Sequence, residues 1–350
     1  MTLQHISIGG DPYELGVALG QQGGAAFRDV VRNLDRFQAL QTWRGSDRLS
    51  AIEAASRAAF PDLMREMDGI AAGADADFQD ILLWNCRGDL PNSAEIMGEQ
   101  GCTDVMIPAD GGVLPAVIGH NEDDSPSFDG HCFVATVRPS DGRAGFTSFC
   151  VPGLLPGHTF GVNEAGLVQT INNIRPRDHQ VGIGRHVVTR AVLGCRTLMD
   201  AAAILERRDR AAGFHHNLGQ CAGPFWAVEA PASGCEIIAV ETPRAHANHL
   251  VFDQFKNADQ RIADSSRDRQ SRADRLLADS SVGRNPLTIL GDSAGDGLPI
   301  CRKQLGGPDG GYTLATAVFE ISAQAVDWRF YDDPTGPAIL EGRQSVAAND

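Results

Sequence analysis

The chain has 350 residues, 42% of them hydrophobic, 21% charged and 6% aromatic, which is the composition of a folded globular protein and not of a disordered or fibrous one. That length allows one large or two modest domains, with a core that needs no disulfide or metal to hold it. Forty-five acidic residues against 30 basic ones leave a net charge of −15, which repels phosphate backbones and anionic lipid, and no apolar stretch approaches the roughly 18 residues of a membrane span; neither a nucleic-acid nor a membrane partner is expected.

In chain order, the first hundred residues read as helical. Tyr13 to Gln41 and Ser46 to Ala72 carry apolar residues at three- and four-residue intervals, among them Leu49, Ile52, Leu63, Met67 and Ile70. Ser46 is the expected N-cap of the second helix, and Pro61 should kink or split it. After Gly101 the pattern changes to short β-type runs between Gly, Pro and Asp clusters: Gly112–Gly119, His131–Arg138, Gly145–Val151, His158–Val162 and Leu167–Ile174. A helix is expected from Arg185 to about Arg208, with Thr197 and Asp200 at capping-box spacing. Further strands are expected at Phe225–Glu229, Glu236–Glu241, His249–Phe252, Thr313–Phe319 and Ala325–Phe330, with an arginine-rich helix near Ser271–Ala278. Asp253–Asp268 and Ser280–Gly297 read as loops, and His215-His216 as loop decoration. Strands, helices and strands again imply an α+β fold in which helices cover sheets.

Eight cysteines without metal-knuckle spacing read mostly as reduced core residues, and the start of the chain lacks the basic and apolar regions of a secretory leader, so a cytoplasmic location is expected. Twenty-eight arginines against two lysines suggest a high-GC bacterial genome and carry no function. His246 and His249, three apart on an expected strand, should point to opposite faces, and no metal or cofactor is expected.

The informative spot is Glu99-Gln100-Gly101-Cys102-Thr103, where helical pattern gives way to strand pattern. A lone cysteine is by base rate a packing residue. Downstream, however, come Gly-flanked polar stretches, Gly119-His120-Asn121-Glu122-Asp123, Gly161-Val162-Asn163-Glu164, Thr170-Ile171-Asn172-Asn173 and His246-Ala247-Asn248-His249, which suggest a polar pocket. Asn121, Asn163 and Asn172 also fit turn positions.

In the order and spacing of these pieces, together with Asp11-Pro12-Tyr13-Glu14-Leu15-Gly16, Met67-Asp68-Gly69-Ile70, Leu83-Trp84-Asn85-Cys86-Arg87, Ser271-Arg272 and Ile300-Cys301-Arg302, the chain resembles the acyl-coenzyme A:isopenicillin N acyltransferase-like group of N-terminal nucleophile hydrolases. The resemblance implies a four-layer αββα sandwich and a precursor that cuts itself between Gly101 and Cys102. Residues 1–101 and 102–350 would then form an α/β heterodimer folded as one domain. It also implies roles: Cys102 as nucleophile with its freed amine as base, Asn248 as oxyanion donor and Asn173 as a second pocket amide. Asp123 would orient the amine, and Arg272 would grip Asp123 or a substrate carboxylate. Substrate contacts are expected from His120, Asn121 and Glu122. Glu122 stands where the family usually has an aromatic residue and Asp124 follows, so an acidic pocket mouth and an amine-bearing N-acyl amide are expected. His120 stands where the related bile-salt hydrolases have an arginine. The expected activity is amide hydrolysis, favoured over transfer, through a Cys102 thioester. The alternatives are an unprocessed, non-catalytic binding relative and a metal hydrolase using His246, His249 and Asp123.

Overall fold

The structure, a computed structural model, describes residues 3–96, 101–111, 114–279, 284–295, 297–305 and 310–346. Glu99 and Gln100 of the junction, and parts of the expected Gly112–Gly119 strand and Ser280–Gly297 loop, lie outside the described residues.

Helices α1 (Pro12–Asp29), α2 (Asp35–Leu40), α3 (Asp47–Ala59), α4 (Pro61–Gly73), α5 (Phe78–Asn85) and α6 (Ser93–Ile96) form the N-terminal part. Ser46 caps α3 through the Leu49 N–H, and Pro61 begins a new helix, because a proline is tolerated in a first turn and not in an interior. Helix α1 carries a capping box between Asp11 and Glu14. It lies against α4 at glycines: a Cβ on Gly16 would stand 2.0 Å from the Glu66 carbonyl, and one on Gly73 2.1 Å from that of Val17. The single helix expected over Tyr13–Gln41 is broken after Asp29, and an edge strand, β1 (Gln4–Gly10), precedes it. With only Ile6 and Ile8 in alternation, β1 gives little pattern to read.

The strands form two sheets. One has eight, in the order β1, β4 (Phe133–Pro139), β5 (Phe146–Cys150), β6 (Phe160–Asn163), β7 (Leu167–Asn173), β8 (Phe214–Gln220), β9 (Phe225–Ala230) and β10 (Glu236–Ala239). The other has six, in the order β11 (Arg244–His246), β2 (Thr103–Ile107), β3 (Ala116–Asp124), β12 (Tyr312–Ile321), β13 (Ala325–Tyr331) and β14 (Leu340–Ser345). Helices α1, α7 (Arg185–Leu193) and α8 (Leu198–Leu205) cover the first sheet, while α9 (Asp264–Ala278) and α10 (Pro286–Leu290) cover the second. The sheets meet face to face, so the fold is the α+β, four-layer αββα sandwich. Alternation divides the core accordingly: Met106 and Ile118 enter the main core, whereas Val105, Ile107 and Val117 pack toward α9 and α10.

Several expectations are corrected. His215 and His216 are fully buried in the interior strand β8, whose polar inner face hides its strand character. His249–Phe252 is not a strand; the strand there is β11. Helix α9 begins inside the expected Asp253–Asp268 loop, and α10 lies inside Ser280–Gly297. The Arg185–Arg208 helix is interrupted at Gly194, with Thr197 capping α8. All eight cysteines are free thiols, six of them buried.

Candidate active site

Strands β2 and β3 build the site by register. They pair antiparallel with Thr103 opposite Asn121 and Asp104 opposite His120, so Cys102, just before β2, falls beside Glu122. The two-residue period puts Cys102 and Asp104 on the inner face with His120 and Glu122, and turns Asn121 and Asp123 toward the helices. The Cys102 thiol donates to Glu122 Oε2 at 3.5 Å. The same oxygen lies 3.2 Å from His120 Nε2, and His120 Nδ1 lies 2.7 Å from Asp104 Oδ1. The chain of contacts continues into the other sheet, where the Thr170 hydroxyl donates to Asp104 Oδ1 at 2.7 Å and Asn217 Nδ2 donates to Thr170 at 3.2 Å.

Burial shapes the electrostatics. It pushes the Cys102 thiol up to about 12, with the Glu122 charge adding to the effect. Burial also raises Glu122 above the usual carboxylate range, against the pull of His120. For His120, burial acts to lower the pKa, but the Asp104 charge and hydrogen bond outweigh it and hold the imidazole well above its ordinary value, which favours the imidazolium.

On the helix-facing side, Arg302 Nη2 donates both to the Gly101 carbonyl oxygen, at 2.6 Å, and to Asp123 Oδ2, at 2.7 Å. Asp123 Oδ1 is buried without a hydrogen-bond partner among the described residues. Arg269, fully buried on α9, donates to the Cys102 carbonyl, to Thr103 Oγ1 at 2.9 Å and to Asn248 Oδ1 at 2.6 Å. Asn248 Nδ2 donates to the Asn173 carbonyl at 3.0 Å. The Asn248 side chain lies against the backbone at Gly101, where a Cβ would come within 2.1 Å of its Oδ1. A side chain at 101 would have to displace Asn248, which Asn173 and Arg269 hold in place.

Of the expected site residues, Gly101, Cys102, His120, Glu122, Asp123, Asn173 and Asn248 come together. Asn121 does not join them: its amide donates to the Leu290 carbonyl of α10 and accepts from Thr316. Nor does Arg272, which forms a two-point pair with Asp292 at 2.8 and 2.9 Å. The arginine on Asp123 is Arg302 and the buried one on α9 is Arg269, residues singled out by no role in the sequence. Of the arginines at 267, 269, 272 and 275 on α9, only Arg269 is buried on the sheet-facing side, a signal the helical spacing could have given. His246 and His249 are not joined to Asp123 either; His246 faces Glu229 and His249 faces Ser266. Asn163 closes the turn after β6, accepting from the Ala165 and Leu167 N–H groups.

The cleft over Cys102 has a cavity volume of about 60 Å³ and is also lined by Arg36, Arg87, Arg175, Arg185, Ile171 and Phe214. Its mouth is not the acidic one expected from Glu122 and Asp124, because the carboxylates there are paired. Asp124 pairs with Arg36 at 2.5 Å, Asp123 with Arg302, and Glu122 with His120. Two guanidinium groups make their hydrogen bonds to neutral partners, with the buried Asp89 carboxyl acting on Arg185 from beyond hydrogen-bond reach. Arg87 donates to the Trp84 carbonyl and meets His186 Nε2, while Arg185 donates to Asn173 Oδ1 and stacks 4.1 Å from the Phe214 ring, in space that a Cβ on Gly88 would fill. Neither is in an ion pair among the described residues. Burial lowers Arg87 to about 9, helped by the Arg185 charge, and lowers Arg185 to about 10.

A family model described as acyl-coenzyme A:6-aminopenicillanic acid acyl-transferase matches residues 110–333. A beta-alanyl-dopamine/carcinine hydrolase of Drosophila melanogaster is 25% identical over 364 positions that cover 93% of this chain and 92% of the relative. An acyl-coenzyme A:6-aminopenicillanic-acid-acyltransferase 40 kDa form of Emericella nidulans is 23% identical over 342 positions, covering 90% and 89%. Among solved structures, a mutant conjugated bile acid hydrolase of Clostridium perfringens gives a TM-score of 0.42 at 9% identity, covering 71% of this chain and 97% of that one.

Proposed function

The chain belongs to the acyl-coenzyme A:6-aminopenicillanic acid acyl-transferase family, and on that premise we propose that it is a self-cleaving enzyme of amide bonds whose nucleophile is Cys102. The observation that carries the proposal is the Gly101–Cys102 junction. Its carbonyl is hydrogen-bonded by a buried arginine, its thiol faces the cleft, and a side chain at 101 has no room. Cleavage there yields residues 1–101 and 102–350 and turns the nitrogen of Cys102 into a primary amine. An α-amine has a reference pKa near 7.7–8.0, so it serves at neutral pH as general base for its own thiol.

The roles follow from what each group already does at the junction. Asp123, with one buried oxygen lacking a partner, is the carboxylate that receives the new ammonium. Once Gly101 has withdrawn, the space it occupied against Asn248 is open to a substrate acyl carbon, and the Asn248 amide is the donor for the oxyanion. Asn173 holds Asn248 through its carbonyl and Arg185 through its side chain. Attack on a small N-acyl amide gives a Cys102 thioester, and water is its acceptor in preference to a second amine.

The cleft favours a substrate with a carboxylate. Arg87 and Arg185 are buried cations whose hydrogen bonds go to neutral acceptors, Asp89 offsetting only part of their charge from the Arg185 side, and an anion in the cleft would relieve the cost of the rest. This reading differs from the amine-bearing substrate expected from Glu122 and Asp124. Intact-mass spectrometry with N-terminal sequencing tests the core of the proposal: the wild type gives two chains, the second starting at Cys102, while Cys102→Ala stays whole at 37.3 kDa and turns over nothing. A Cys102→Ala sample that still splits at 101 refutes it. A panel of N-acyl amines and their carboxylated counterparts then reads the substrate class. Preference for the uncharged members would remove the role given to Arg87 and Arg185.

A further inference from the structure

The α-amine that serves as base in turnover does not exist before the chain is cut, because the nitrogen of Cys102 is then an amide and cannot accept a proton. Self-cleavage therefore needs a different base. We infer that Glu122 is that base: it takes the Cys102 thiol proton in the first step of self-cleavage, and His120 and Asp104 are positioning residues that hold its carboxylate on the sulfur. This rests on the self-cleavage proposed above and concerns the same junction.

The geometry carries the assignment. Glu122 Oε2 accepts the thiol hydrogen bond at 3.5 Å and is fixed on its other side by His120 Nε2 at 3.2 Å, which Asp104 fixes in turn at 2.7 Å. All four side chains are buried. The carbonyl to be attacked is already polarised, since Arg302 Nη2 lies 2.6 Å from the Gly101 oxygen, where negative charge will develop. A thiol held near 12 is protonated at neutral pH, so it needs an acceptor within reach, and a carboxylate raised by burial is a stronger base than an exposed one.

The step balances without an outside reactant other than water. The thiol proton passes to Glu122 as sulfur bonds to the Gly101 carbonyl carbon, with the oxyanion on Arg302. The carbon–nitrogen bond then breaks and the nitrogen of Cys102 takes up the proton, leaving a Gly101 thioester on the Cys102 sulfur. Water hydrolyses the thioester, giving the Gly101 carboxylate and a free thiol. The charged and titratable groups around this centre include Asp104, His120, Asp123 and Asp124 on the six-stranded sheet, Cys132 beside Glu122, Arg269 and Arg302 from the helix-facing side, and Arg87 and His158 across the cleft.

The test is pulse-labelled cell-free synthesis of the full chain, with the loss of precursor followed over time at several pH values. Glu122→Gln keeps the shape and removes the base. It is expected to split about 10²-fold more slowly than wild type at pH 7 or slower still, the usual range for loss of a general base. Its rate should climb about tenfold per pH unit, as hydroxide replaces the missing base, while the wild-type rate levels off. Hydroxylamine, which cleaves thioesters, should not restore the cut, because thioester formation is the slow step and none accumulates. A Glu122→Gln chain that splits at the wild-type rate, or that is cut on adding hydroxylamine, overturns the assignment. If that variant lacks a cooperative melt, Glu122→Asp decides: a rate that levels off with pH supports the carboxylate, and one that climbs throughout overturns it. A wild-type chain that never splits refutes self-cleavage itself, whereas a wild type that splits beside an unaffected variant refutes only Glu122.

Discussion

Two buried clusters of reactive side chains lie on the inner faces of the sheets. They differ in what surrounds them. Cys102, His120 and Glu122 form one; His215, Glu229 and His246 form the other. In the second, Glu229 accepts from the Val251 and Phe252 N–H groups and faces His246, whose other nitrogen meets the Ala247 carbonyl. The His215 and His246 rings stack 3.4 Å apart and 4° from parallel, so their in-plane nitrogens do not converge on a common point. The carboxylate is committed to holding a loop. In the first cluster, the carboxylate bonds a thiol at a cleft, next to a peptide bond with a polarised carbonyl. Density of functional groups is similar in both, and what separates them is access and a bond to be broken.

The sharpest way to break the comparison is at the junction. Gly101→Ala would push a methyl group into Asn248 and displace the scissile peptide; splitting is expected to slow by about 10²-fold or more, as ångström-scale misplacement does. Splitting at the wild-type rate, read by intact mass, would show that the close approach has no part in the chemistry.

The clusters should also respond oppositely to pH. His215 is held well below its ordinary pKa by burial and by His246, and His158, His186, His216 and His249 are lowered as well, His216 to about 3 and His249 to about 4. Below pH 6.5 these groups bind protons in the unfolded chain and not in the fold. Their contribution is complete above that pH and is lost as pH falls toward 4, on the order of several kcal/mol in sum. His120, raised instead, contributes fully below pH 6.5 and loses its contribution as pH rises through its folded value. Urea midpoints of Cys102→Ala between pH 8 and 4.5 read the balance. A midpoint that improves on acidification contradicts the neutral state of the five histidines.

Smaller effects sharpen the same contrast. Glu229→Gln, which weakens the bonds to Val251 and Phe252, should cost about 1–3 kcal/mol in denaturant melts and leave the rate of splitting alone. A large loss of splitting would move that cluster into the chemistry. Arg272→Ala removes a partly exposed pair with Asp292 and should cost under about 1 kcal/mol, with splitting unchanged. A block comparable to that of Gly101→Ala would restore to Arg272 the place that Arg269 and Arg302 occupy here.

Much of this site was legible in the chain. The Gly-Cys junction and the stretches around His120, Asn173 and Asn248 stand out as polar residues at strand ends. The register that pairs Thr103 with Asn121 would have excluded Asn121, since one residue in two on a strand faces the other way. The arginines were harder. Arg269 and Arg272 lie on one helix in a run of alternating charges, where the spacing of Arg269 from Ser265, Ser266 and Ala273 marks the inner face only once the helix is known to pack on the sheet.

Periodicity and punctuation, which are local, determined the helix that Pro61 divides, the change to strands after Gly101 and the α+β class. The Gly101-Cys102 pair was likewise written in adjacent residues, whereas the crowding at Gly101 comes from Asn248 and was not. Tertiary structure alone decided which carboxylate meets the thiol, which arginine meets Asp123 and Gly101, and whether the mouth of the cleft is acidic. Those pairings join residues up to two hundred positions apart, and whether a charge acts or is cancelled depends on the partner that burial brings to it.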